Sequence, residues 1–224
     1  MLLIDFSFSA TPEQIEQYIM LSDANRDLIE MKQTVESIIP PTLTSNTLII
    51  TAYFNEYLTK HLTSNEIDKL IKLYNNPLLN ILKELNQQIS TEERQAFKLM
   101  LKENPYSKKR LAVAQKITQN IFDSEDLKNI RYGLQEKISE AFGGEQESEF
   151  ISQKKEKQLL ERMRNELKLS LLYCTQNLTI EELKKLQKLT KNPLLKKATK
   201  VEIDASLYAV ELFLKAVLME FIEK

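Results

Sequence analysis

The side chains able to do chemistry in this sequence are few. One histidine, His61, and one cysteine, Cys174, are the sole members of their types, which rules out a multi-histidine metal site, a multi-cysteine zinc site and a disulfide within the chain. A cysteine nucleophile needs a base, and no second imidazole is present to serve. His61 falls at the predicted C-terminus of a helix, where a positive charge favours the helix dipole. Cys174 falls on an apolar face and reads as a small core hydrophobe. Acidic residues gather at Glu92/Glu93, Asp123/Glu125/Asp126, Glu145/Glu147/Glu149 and Glu181/Glu182. Most of these sit where helices begin and where carboxylates are electrostatically favoured, and none forms a glycine-centred calcium loop. Basic clusters at Lys108-Lys109-Arg110, Lys154-Lys155-Lys157 and Lys196-Lys197-Lys200 could touch phosphate but read as solvated helix faces. With no phosphate-binding glycine loop, nucleophile elbow or metalloprotease helix, the sequence singles out no catalytic, cofactor-binding or metal-binding residue and implies no cofactor.

The elements that would position any site are organised around a stretch that occurs twice. LTSNEIDKLIKLYNNPLL, residues 62–79, returns as LTIEELKKLQKLTKNPLL, residues 178–195, at a constant offset of 116 and without a gap. Thr63 and Glu66, then Thr179 and Glu182, have the spacing of a capping box, so a helix starts just after each threonine. Ile67, Leu70, Ile71 and Tyr74 form one apolar stripe. The second copy keeps Leu183 and Leu186 but ends in Thr190. Pro77 and Pro193 lack an amide proton and disfavour helix at the preceding asparagine, so each short helix ends there and a new one begins.

Around this block the chain reads as helix after helix. Thr11-Pro12-Glu13-Gln14 is a strong start signal, with a turn at residues 22–25 and a second helix to Pro40-Pro41. A third spans about 44–61. After the first copy, Ser90-Thr91-Glu92-Glu93 opens a helix that Asn104-Pro105 ends, and another runs over about 106–122. Asp123 opens the next, stopped by Gly143-Gly144. One long helix is expected over about 147–177, and a final apolar helix over about 203–222.

Three glycines and six prolines, against abundant Leu, Lys, Glu and Ile, are the composition of an all-α protein. The expected organisation is two tandem quasi-repeated units, 11–122 and 123–224, preceded by residues 1–10. With 31 basic and 32 acidic residues the charge is nearly balanced, which argues against nucleic acid held by the overall field. No apolar run reaches the roughly 18 to 20 residues of a membrane-spanning helix. The opening MLLIDFSFSA has two readings: the remnant of a signal peptide whose start lies further upstream, or a short ordered apolar segment.

The Thr-x-x-Glu start, the Leu/Ile stripe and the Asn-Pro-Leu-Leu restart together resemble the core signature of the bacterial domain-of-unknown-function family 2059. Thr63, Glu66, Leu70, Leu73, Tyr74, Asn76 and Pro77 carry the likeness in the first copy. Thr179, Glu181, Glu182, Leu183, Leu186, Asn192 and Pro193 carry it in the second, which departs by having Leu189-Thr190 for the aromatic pair. The leading IEQYIMLSDANRDLIEMKQ also looks like that family's N-terminal helix pair. The resemblance implies an exported helical protein of the Gram-negative periplasm and supplies no catalytic residue. The leading functional expectation is a non-enzymatic scaffold acting through protein partners or self-association. Its rivals are a small-molecule binder or enzyme with a site assembled between helices, and a cytosolic adaptor. A buried polar pocket with perturbed carboxylates would favour the small-molecule reading.

Overall fold

The computed structural model describes residues 9–38, 48–85, 89–141 and 153–222. These form an all-α protein, as the composition implies. The elements are α1 (Pro12–Ser22), α2 (Arg26–Ile38), α3 (Leu48–His61), α4 (Ser64–Tyr74), α5 (Pro77–Leu85), α6 (Thr91–Glu103), α7 (Lys108–Ile121), α8 (Ser124–Lys128), a π-helical segment (Asn129–Gly133), α9 (Leu134–Ala141), α10 (Gln153–Cys174), α11 (Ile180–Leu189) and α12 (Pro193–Ile222). Pro40-Pro41 and Gly143-Gly144, the two expected stops, lie outside the described residues, as does most of the opening segment. Of that segment Ser9 makes an isolated antiparallel bridge with Thr63, and Ala10 is buried. Cleavage immediately after Ala10 would remove both.

The predicted caps form. Reciprocal capping boxes close the N-termini of α1, α4, α6, α8 and α11 through Thr11/Gln14, Thr63/Glu66, Ser90/Glu93, Asp123/Asp126 and Thr179/Glu182. In the two copies of the repeated block the local geometry coincides. Thr63 and Thr179 have φ, ψ of −77°, 158° and −68°, 162°. Asn76 Oδ1 accepts from the Leu78 amide at 3.0 Å, and Asn192 Oδ1 accepts from the Leu194 amide at 2.9 Å. Each asparagine thus caps the helix that its proline begins, accepting from a first-turn amide that has no carbonyl partner within that helix.

Downstream of the prolines the copies diverge, and the sequence reading needs two corrections. The helix begun at Pro193 does not give way to a separate one near 203; it continues for 30 residues. α5 is described over Pro77–Leu85, and the chain is no longer helical at Ile89. The physical difference lies in the residues downstream: Leu85 leads into polar residues and the Ser90 cap, whereas Val201 leads into a run with no breaker and many small or apolar residues. The second half therefore has two long helices, α10 and α12, where one was expected. The π-helical segment was also not foreseen. Gly133 explains part of it, because a Cβ there would lie 2.7 Å from Leu207 Cδ1, so its absence lets this segment lie close against α12.

One buried core runs through both halves. Its most extensive pairing is α3 along α12, where Ile50, Phe54 and Leu58 are fully buried and Ala205, Ser206 and Ala209 keep the α12 surface low enough for close approach. Several of the remaining pairings match between the halves. α4 rests on α1, and α11 on α7; α3 contacts α1, and α10 contacts α7. Across the middle, α4 and α3 meet α12, while α11 and α10 meet α5.

Candidate ligand-binding cleft

Three chain segments converge on a small cleft near the middle of the molecule. The first is the end of α1, where Ser22 Oγ accepts from the Ala24 amide at 3.2 Å and Asp23 takes a left-handed conformation, φ 62°. The second is the close of the first repeated block, which contributes Tyr74 and then Leu82, Lys83 and Leu85 of α5. The third is the close of the second block and the helix it launches, contributing Thr190, Leu195, Lys196, Thr199, Glu202 and Ile203. Asn120, Ile121 and Phe122, at the end of α7, complete the wall. The enclosed space is about 80 Å³. Tyr74 and Thr190 are 116 positions apart, as are Lys83 and Thr199, so corresponding positions of the two copies line the same space.

Behind this cleft lies a hydrogen-bonded carboxylate. The hydroxyl of Tyr18, fully buried, donates to Glu202 Oε1. Tyr74 stands edge-on to Tyr18 with ring centroids 6.0 Å apart. Burial pushes the Tyr18 phenol well above the usual tyrosine value, and the Glu202 charge and Tyr74 add to the rise. Tyr74 is raised for the same reasons, burial first and Glu202 second. Both phenols therefore stay protonated across the physiological range and act as hydrogen-bond donors rather than bases. On the opposite wall Asn120 Nδ2 donates to Gln187 O at 3.3 Å and Thr190 Oγ1 at 3.1 Å, tying α7 to the end of α11. Tyr18→Phe removes the phenol's donation to the Glu202 carboxylate. The expected loss is about 1.5–3 kcal/mol of unfolding free energy, the range for hydrogen bonds to charged groups, read from urea titrations of both proteins. An unchanged midpoint and slope would show the contact to be idle.

A second groove, about 550 Å³, lies between α4 and the start of α12 and is lined by Glu66, Lys69, Lys72, Leu73 and Asn192–Leu194. It is larger but wide open to solvent and lined by surface charges, of which Glu66 is already paired: Lys197 Nζ lies 2.7 Å from its Oε1. An enclosed apolar space with a few convergent polar groups is the better binding geometry.

Glu145, Glu147 and Glu149 lie outside the described residues; of the described residues weighed in the sequence as chemically active, Lys196 is the one that lines the cleft. His61 ends α3 as expected, exposed, stacked on Tyr57 with centroids 3.8 Å apart and with Nδ1 2.8 Å from Tyr57 O. Cys174 is the last residue of α10 and is half-buried rather than in the core. Asp123, Glu182, Glu93 and Asp126 serve in caps. Lys196, Lys197 and Lys200 pair with Asp123, Glu66 and Glu125 at 3.1, 2.7 and 3.6 Å. Arg110 is not solvated: its guanidinium donates to the Leu178 and Thr175 carbonyls and lies 4.7 Å from the Tyr106 ring centre. Among the described residues no group of three or more His, Cys, Asp or Glu could hold a metal ion.

The residues that sequence reasoning missed are Tyr18, Tyr74 and Glu202. The first two were placed in apolar stripes, which is correct for their rings and silent about their hydroxyls. The available signal was Glu202 itself, a carboxylate between Val201 and Ile203, both buried. The chain matches no family model, no curated protein and no solved structure.

Proposed function

We propose that this is a helical protein that binds a small molecule, without transforming it, in the cleft between the two repeated blocks. The observation that carries the reading is the Tyr18–Glu202 pair: a carboxylate held by a fully buried phenol at the wall of an enclosed, mostly apolar space. A polar group oriented by its own hydrogen bond and set beside an apolar wall is the combination that fixes how a small ligand lies. Both phenols are held protonated and are poor proton acceptors; Tyr74 lines the cleft, where it can meet a ligand, and Tyr18 holds Glu202. A scaffold role has less support. The large apolar side chains that are exposed among the described residues, Met20, Ile29, Leu99, Leu111 and Met219, sit on five different helices, and no one helix presents a stripe of them.

The resemblance to family 2059 favours the bacterial periplasm as the compartment. Among the described residues no helix is long and apolar enough to cross a membrane. A fragment screen on the full chain, followed by amide NMR shifts, tests the binding reading. Shifts should concentrate at Ser22–Ala24, Tyr74, Ile121–Phe122 and Thr199–Ile203. A screen whose hits perturb none of these, or gather at the open groove by Lys69 and Lys72, would overturn it.

A further inference from the structure

Resting on that reading, we infer that the ligand is a short uncharged molecule with an accepting oxygen, a carbonyl or a hydroxyl, that is received by the Tyr74 hydroxyl. Charge is the first selector. Two cations, Lys83 and Lys196, and two anions, Asp23 and Glu202, line the cleft, so the lining carries no net charge. Each of the four is already held: Lys196 by Asp123 at 3.1 Å, Lys83 by the Met20 carbonyl at 3.4 Å and Asp23 by Arg26 at 3.7 Å. Glu202 is held by the Tyr18 hydroxyl, which is not its sole partner. An ion of either sign would meet both signs, and would give up its hydration for groups that already have partners. A neutral molecule gives up far less water and disturbs none of these contacts.

Hydrogen bonding is the second selector. Ser22 and Thr190 spend their hydroxyl protons on the Tyr18 and Gln187 carbonyls, at 2.9 and 3.0 Å, and Asn120 gives its amide to Gln187 and Thr190. Tyr74 and Thr199 differ. Among the described residues neither hydroxyl makes a hydrogen bond, and neither oxygen is among the unpartnered side-chain atoms sealed from solvent. Both residues line the cleft, so they hold its unspent hydroxyl donors. Burial, with the Glu202 charge adding to it, keeps the Tyr74 phenol protonated, and an oxygen on the ligand accepts that proton's hydrogen bond. Leu82, Ile121 and Leu195 line the same space and suit a hydrocarbon body. The size follows from the volume: about 80 Å³ holds roughly half a dozen water-sized groups, which is an oxygen and a chain of about four carbons.

Probes of nearly equal size separate the claims: butanone, n-butanol, n-butylammonium and n-butyrate, each titrated into the full chain and followed by amide NMR. The expected result is a dissociation constant on the order of 1 mM for butanone and butanol, with shifts at Tyr74 and Thr199. The two ions should bind more weakly by about tenfold or more. Tyr74→Phe, which keeps the ring that stands edge-on to Tyr18, should weaken butanone by about three- to tenfold. If either ion binds as tightly as the neutral probes, or if Tyr74→Phe binds butanone as the parent does, the ligand class is wrong and the cleft stands. If no probe moves any cleft amide, the binding site itself is misplaced. Should Tyr74→Phe fail to fold, the comparison of neutral with charged probes still decides.

Discussion

Phe54→Ala is expected to lower the free energy of unfolding by about 3–5 kcal/mol, a large share of the roughly 5–15 kcal/mol that holds a typical domain together. Phe54 is fully buried in the middle of α3, flanked one turn away on either side by the equally buried Ile50 and Leu58. α12, with which α3 makes its most extensive contact, buries Ala205, Ser206 and Ala209 together with Val210, Phe213 and Leu214. Small residues cannot swing in to fill the space a lost ring leaves, so most of the cavity would persist. The consequence extends beyond one helix, because α3 belongs to the first half of the chain and α12 to the second. Urea unfolding followed by far-ultraviolet circular dichroism, and by one fluorescent probe in each half, should show a single transition shifted equally for both probes. If a probe on α10 or α11 unfolds at its parental midpoint while one on α3 does not, the halves do not share a core.

How much of this arrangement could be read in advance depended on the range of the interactions. Helix starts are decided within four residues by a side-chain oxygen and an amide, and every capping box read from the chain is present, from Thr11 to Thr179. The proline breaks at Pro77 and Pro193 are equally local. The continuity of α12 was harder, since nothing near Val201 forbids a stop; it is burial of Ala198, Val201, Ala205 and Ala209 against α3 and its neighbours that favours one unbroken rod. The close approach of the π-helical segment to α12 is made at Leu207, over 70 positions from Gly133, and was out of reach of any local pattern. α7 lies against α11 as α1 lies against α4.

The cleft was less legible than the fold. Its polar centre is a contact between positions 18 and 202, and no spacing rule connects residues so distant. Periodicity sorts tyrosine with the apolar residues because its ring packs, and it carries no information about where the hydroxyl ends. Chemistry-first reading was drawn instead to His61, Cys174 and the lysine runs. These proved to be helix-end and surface features whose partners, Tyr57, Asp123, Glu66 and Glu125, are ordinary stabilising ones. The mouth residues were closer to hand. Tyr74 with Thr190, and Lys83 with Thr199, follow from the 116-residue offset once the two blocks are known to face one another.

That facing arrangement underlies the second large effect. Leu70→Ala and Leu186→Ala should each destabilise the protein by about 2–5 kcal/mol, since both side chains are fully buried and both stand seven residues after a capping threonine and seven before a proline. If one helical module stands twice in this chain, the two losses should agree to within about 1 kcal/mol. Each leucine then sits in the same local frame: a capping box at the start, the same Asn-Pro exit, and one helix that supplies the most extensive contact, α1 for α4 and α7 for α11. Because α4 and α11 have their most extensive contacts with different helices, the double variant should lose the sum to within about 0.5 kcal/mol. Chemical denaturation of the two single variants and the double variant measures all three quantities. Similar single losses that add would be what two equivalent, separately supported blocks produce. One large loss beside one negligible loss would mean that the likeness stops at the sequence and that each block is held by surroundings of its own.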